Sequence, residues 1–126
     1  MSKIDTIVIS GGGIRSIAVI GTLKYLEQNN ILLSIKKYAG SSAGAVLVLL
    51  LNIGYTPSEI YDSIFSQKSS MVYDNFIKIP YNLLVNYGLF SGVKIADYLS
   101  ELIVKKGFDK NTSFKQLYEK TGKTAV

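Results

Sequence analysis

A chain of 126 residues, 48% hydrophobic and 18% charged, suits one globular domain with a modest core and is too apolar to stay disordered. It has no cysteine and no histidine, which excludes disulfides, thiolate or imidazole metal sites and any Ser-His-Asp triad built within the chain. The net charge of +5 is carried by scattered lysines, with Arg15 the only arginine, so it reads as a solvated surface rather than a nucleic-acid site.

Only Lys36-Lys37 and Lys105-Lys106 are adjacent basic pairs. Mild attraction to an anionic membrane surface is the alternative reading of this charge. The longest apolar run, Ala45 to Leu51, is closed by Asn52 and falls far short of the roughly 20 residues that span a bilayer. The first residues lack a long apolar region ending in a cleavage site. The expected location is therefore cytoplasmic or peripheral to a membrane.

Thr6-Ile7-Val8-Ile9-Ser10 is a continuous β-branched run, the pattern of a buried parallel strand. It ends in Gly11-Gly12-Gly13. Ile17, Ile20, Leu23 and Leu26 then recur near helical spacing, and Asn29-Asn30 closes that helix. A second short strand runs into Ser42, which completes a βαβ unit. A right-handed crossover brings both strand-to-helix loops to the same sheet edge. The spacing predicts an almost wholly apolar, buried helix from Ala43 to about Asn52, stopped by Gly54.

Thr56-Pro57-Ser58-Glu59 opens the next helix as a capping box, with Ile60, Ile64 and Phe65 inward. Met71 to Phe90 is aromatic-rich, holds Pro80 and reads as loops with short ordered pieces. It packs within the domain or, in the alternative, lies on a membrane interface. Ser91 caps a helix whose stripe is Val93, Ala96, Leu99, Leu102 and Ile103, ended by Gly107. Ser113-Phe114-Lys115-Gln116 is another capping box, with Leu117 and Tyr118 inward. Thr124-Ala125-Val126 begins a strand.

Gly40-Ser41-Ser42-Ala43-Gly44 is a Gly-x-Ser-x-Gly turn between strand and helix, the layout of a nucleophile elbow. Gly40 and Gly44 let strand and helix approach closely, and Ser42 falls at a helix N-terminus that favours a developing anion. Such turns also occur without catalysis. Ser10-Gly11-Gly12-Gly13-Ile14-Arg15 has three readings: an oxyanion hole, a phosphate cradle, or a plain turn. The P-loop pattern is absent, and Gly-x-Gly-x-x-Gly fails because position 16 is serine. Arg15 supports the loop, binds an anionic group, or is a surface residue.

Together the two loops form an acyl-transfer constellation, and the sequence resembles the patatin-like phospholipases, which are lipid acyl hydrolases. Ser10 to Arg15, Gly40 to Gly44, the run Gly88-Leu89-Phe90-Ser91-Gly92 and the helix from Ser113 to Leu117 carry the resemblance. It implies an α/β fold of three layers, α/β/α, with a mainly parallel central sheet. It also implies a Ser-Asp dyad, with Ser42 as nucleophile and an oxyanion hole in the loop Gly11, Gly12 and Gly13. The N–H groups of Gly12, Gly13 and Ala43 are the implied donors. The implied substrate is a lipid or other ester, and no metal, cofactor or nucleic acid is required.

The family's aspartate lies in an Asp-Gly-Gly or Asp-Gly-Ala motif. No aspartate here precedes glycine; Asp5, Asp62, Asp74, Asp97 and Asp109 all stand in other contexts. Residues 1–126 are therefore expected to form a single partial domain, truncated on the C-terminal side before its sheet is complete. Serine at position 16, where the family commonly has glycine, is expected to tighten the loop or cap the helix. Two functions stay open: a dyad hydrolase whose base lies elsewhere, and a catalytically incomplete module that binds lipid or a partner protein.

Overall fold

The computed structural model describes residues 4–65 and 93–126. Its strands are β1 (Thr6–Ile9), β2 (Lys37–Gly40) and β3 (Thr124–Ala125). Its helices are α1 (Ser16–Gln28), α2 (Ala43–Asn52), α3 (Pro57–Phe65), α4 (Val93–Lys105) and α5 (Phe114–Thr121), with 3-10 turns at Gly13–Arg15 and Leu32–Ser34. The strands form one sheet in the order β1-β2-β3, and both pairs are parallel. The protein is thus of the α/β class, and β1-α1-β2 is the expected βαβ unit. Met71–Phe90 and the Ser91 cap lie outside the described residues.

Local chemistry sets the element ends. Asn29 caps α1, and the next residue, Asn30, turns the chain at φ 58°. At α3, the Thr56 N–H donates to Glu59 Oε2 at 2.8 Å and the Glu59 N–H donates to Thr56 Oγ1 at 3.2 Å, which completes the predicted box. Ser113 and Gln116 make the same reciprocal pair at α5, and Gly122 ends that helix in the left-handed region.

Ile9 and Tyr38 from the sheet, Ile20 and Leu23 from α1, Leu47 and Leu50 from α2, and Ile60 from α3 belong to one core. Leu102 of α4 and Leu117 of α5 complete it. The strand read in Thr6–Ser10 ends at Ile9, and its opposite face is not buried as expected. Val8 is 73% exposed, and Thr6 and Lys37 are exposed beside it, because none of the described elements covers that face. Along α4, only Leu102 is buried, while Leu99 and Ile103 pack at the core's edge and Val93 is exposed. Tyr118 is exposed rather than inward. On a short helix, neighbouring residues point about 100° apart, and Leu117 takes the single inward direction.

The start of α3 is tied to the end of α4. Tyr55 Oη donates to the Leu102 carbonyl at 2.9 Å in the interior. Lys106 Nζ pairs with Glu59 at 3.0 Å and lies 4.4 Å from the centre of the Tyr55 ring. The hydroxyl of Tyr98 donates to the Ser63 carbonyl. These links fix α4 on the core beside the helices that carry the site.

Candidate active site

The parallel pairing of β1 with β2, Ile9 opposite Gly40, ends both strands at the same edge. The glycine loop and the Gly40–Gly44 turn therefore leave the sheet side by side. The Ser41 N–H donates to the Ile9 carbonyl at 3.2 Å, and the Gly11 N–H donates to Ser41 Oγ at 3.0 Å, across 30 positions of sequence.

Packing in the turn admits no side chain at its glycines. A β-carbon on Gly44 would sit 2.2 Å from the Ile9 carbonyl oxygen, and one on Gly40 would sit 2.6 Å from the Gly44 carbonyl oxygen. The helix backbone thus rests directly on the strand backbone, which holds the chain in a sharp reversal. Ser42 stands at the apex with φ 52° and ψ −127°, a combination that glycine dominates. An L-residue there carries about 1–3 kcal/mol of strain.

The two serines have different surroundings. Ser41 Oγ is an acceptor for Gly11. Ser42 is the N-cap residue of α2, yet its side chain makes no capping hydrogen bond and is exposed. A serine at this position ordinarily accepts from the first turn of its helix. Here the backbone conformation turns Ser42 away from that role and leaves its Oγ without a hydrogen bond to any described residue.

Gly11 also packs against the elbow, since a β-carbon there would lie 2.9 Å from Ser42 Cβ. Its N–H is already donated to Ser41. Gly11, expected among the oxyanion-hole residues, thus has its N–H engaged within the site. The N–H groups of Gly12, Gly13 and Ala43 make no hydrogen bond to another described residue. Gly13 has φ 53°, and Ala43 opens α2. Arg15 closes the loop through its backbone, its N–H donating to the Gly12 carbonyl at 3.0 Å, while its side chain is exposed. Ser16 does not cap α1; its Oγ is buried with no hydrogen-bond partner among the described residues.

No described aspartate makes a hydrogen bond to Ser42. Asp5 precedes β1, at the other end of that strand, where Thr6 and then Lys37 hold its carboxyl below the usual carboxylate range. Asp109 Oδ1 accepts the Asn111 N–H at 2.7 Å in a turn. Asp62 and Asp97 lie on exposed positions of α3 and α4, and Asp74 is outside the described residues. Sequence reasoning missed the Gly11–Ser41 bond. The signal was a hydroxyl at the variable position before Ser42, which motif spacing leaves unconstrained.

Comparison with known protein families and curated proteins places this architecture among known relatives. The family model described as patatin-like phospholipase matches residues 7–125. A protein of Invertebrate iridescent virus 6 named "Probable lipid hydrolase" is 33% identical over 127 residues, covering 96% of this chain and 41% of its own length. The uncharacterized protein YqhO of Bacillus subtilis is 31% identical over 107 residues, covering 79% of this chain and 36% of its own length. The chain thus spans about two fifths of the length of these curated relatives. Among solved structures, a chain in the complex of SpcU with ExoU from the type III secretion system of Pseudomonas aeruginosa aligns at a TM-score of 0.47 and 21% identity. That alignment covers 94% of this chain and 22% of the other. Two glycine-bearing loops meeting at one edge of a parallel sheet, with the family match running from β1 to β3, show that the chain belongs to the patatin-like phospholipases.

Proposed function

We propose that this chain carries the nucleophile and oxyanion hole of a lipid acyl hydrolase of the Ser-Asp type. The observation that carries the proposal is the strained backbone of the exposed Ser42, whose Oγ has no hydrogen bond to any described residue, beside the glycine loop. Structures retain such strain where function requires it, and a serine with no task here is better replaced by glycine.

In this reading, Ser42 Oγ attacks the carbonyl carbon of a glycerolipid ester and loses its proton to an aspartate. The carbonyl oxygen becomes an oxyanion, which the N–H groups of Gly12, Gly13 and Ala43 stabilise beside the positive end of α2. Collapse of the tetrahedral intermediate breaks the ester bond. The alkoxide leaving group takes the proton back from the aspartate, and the acyl group stays on Ser42. Water, deprotonated by the same aspartate, then attacks the acyl carbon; the bond to Ser42 Oγ breaks, Oγ takes the proton back from the aspartate, and the fatty acid leaves. The reading assigns this aspartate to none of the five in the present sequence.

The test is phosphonylation by a fluorophosphonate, in which the serine oxygen replaces fluoride on phosphorus. The 126-residue chain is expected to label at Ser42 and to hydrolyse esters slowly or not at all. Ser42→Ala is expected to abolish labelling. Undiminished labelling of that variant would overturn the assignment, and fast ester turnover by the chain alone would show that its base has been misplaced.

The second reading, a module that binds lipid or a partner without catalysis, is favoured by one observation: no described carboxylate reaches Ser42. Co-sedimentation with anionic liposomes by a chain whose serines resist labelling would select it. Among the described residues, no helix is long and apolar enough to cross a membrane, so any such contact made by them is peripheral.

A further inference from the structure

We propose that Ser41 is a positioning residue for the oxyanion hole: its hydroxyl holds the Gly11 N–H and sets the height of the glycine loop over Ser42. The proposal rests on Ser42 being the nucleophile.

Beyond Ile9 the chain leaves the sheet, and the ladder no longer fixes its backbone. Gly11, Gly12 and Gly13 are exposed, and although Gly11 packs against Ser42, a β-carbon on Gly13 would meet nothing within 4 Å, so packing holds only the near end of this loop. Three consecutive glycines also have the widest choice of backbone conformations. The far end is closed by Arg15, whose N–H donates to the Gly12 carbonyl. At the near end, Gly11 N–H to Ser41 Oγ, at 3.0 Å, is the only hydrogen bond from the loop to the elbow among the described residues. This bond, beside the Gly11–Ser42 contact, couples the two halves of the site.

The same bond sorts the donors. It occupies the Gly11 N–H and leaves those of Gly12 and Gly13 for an oxyanion. Ser41 itself is anchored from below, because its N–H donates to Ile9 and its carbonyl accepts the Gly44 N–H at 2.9 Å. The acceptor therefore stands on backbone held at both its N–H and its carbonyl. Its requirement is a hydroxyl at position 41. Threonine supplies one, alanine lacks it, and valine keeps threonine's shape without it.

The experiment compares Ser41→Ala, Ser41→Thr and Ser41→Val with the unmodified 126-residue chain by two readouts. One is amide hydrogen exchange at Gly11, followed by NMR. The other is the rate of Ser42 phosphonylation by a fluorophosphonate. Ser41→Ala and Ser41→Val are expected to speed Gly11 exchange about tenfold and to slow phosphonylation about tenfold, the scale of one lost hydrogen bond. Ser41→Thr is expected to keep both within about twofold, while exchange at the core amide of Leu50 stays unchanged in all variants. If Ser41→Ala does not fold, the shape-matched threonine and valine pair carries the same comparison.

Unchanged Gly11 exchange in the alanine and valine variants would overturn the bond. Faster exchange with undiminished phosphonylation would overturn its effect on the site, leaving it a structural contact only. Absence of labelling in the unmodified chain would instead overturn the expectation that Ser42 reacts without its aspartate, and the Gly11 exchange data would distinguish that failure from the other two.

Discussion

The α-carbon of Gly44 faces the carbonyl of Ile9 so closely that a β-carbon there would lie 2.2 Å from the oxygen. This contact seats α2 on β1 and brings the Gly40–Gly44 turn against the glycine loop. The neighbouring atoms are backbone, which has no rotamer to yield, so even one methyl forces strand and helix apart.

Gly44→Ala is accordingly expected to destabilise the fold by about 3 kcal/mol in urea unfolding. Gly21 supplies the contrast. It lies within α1, is exposed, and a β-carbon there would meet nothing within 4 Å. Gly21→Ala is expected to stabilise by about 0.5–1 kcal/mol through helix propensity. Equal effects of the two substitutions would refute the close-approach argument.

Ser42 at φ 52° makes a prediction that separates strain from chemistry. Ser42→Gly relieves the backbone, whereas Ser42→Ala keeps it strained; neither retains a nucleophile. The glycine variant is expected to be about 1 kcal/mol more stable than the alanine variant, the reverse of their order within an ordinary helix. Thermal unfolding of the pair decides it, and an alanine variant at least as stable as the glycine variant would contradict the strain.

Glu59 links acid stability to the α3 cap. The Thr56 N–H and then Lys106 hold its carboxyl below the ordinary glutamate range. A carboxylate with a lowered folded-state pKa stabilises the fold above its unfolded value, about 4.3, and loses that contribution as pH falls through the folded value. The stability advantage of the unmodified chain over Glu59→Gln is therefore expected to be largest at neutral pH and to narrow below about pH 4.3. Because the side chain is 47% exposed, the advantage is within about 1 kcal/mol. A gap that stays constant between pH 7 and pH 3 would rule out this linkage.

Asn52 is 1% exposed at the end of α2. Its Oδ1 accepts the Thr121 hydroxyl at 3.3 Å, and its Nδ2 has no partner among the described residues. Thr121 Oγ1 has two other partners, the Leu117 carbonyl and the Lys123 N–H, so it does not depend on Asn52. Asn52→Leu removes a buried unpaired donor and is expected to stabilise by about 1 kcal/mol in urea unfolding. A loss of stability would show that the amide is satisfied in solution.

The sequence by itself determined the elements whose signals are local. The capping boxes at Thr56–Glu59 and Ser113–Gln116 are read within four residues, and the glycine spacing of the elbow within five. The βαβ order predicted that the two loops share an edge. Only the tertiary structure decided which groups at that edge are engaged. Ser41 and Ser42 are chemically identical neighbours, and so are Gly11 and Gly12. Their difference comes from a hydrogen bond across 30 positions and from a backbone reversal that turns one hydroxyl out. Burial was likewise decided by partners: Val8 reads as core in its strand and is exposed because none of the described elements packs on its face. Local spacing carries the chain's conformational preferences, whereas contacts between distant segments determine which hydroxyl and which N–H groups remain available at the site.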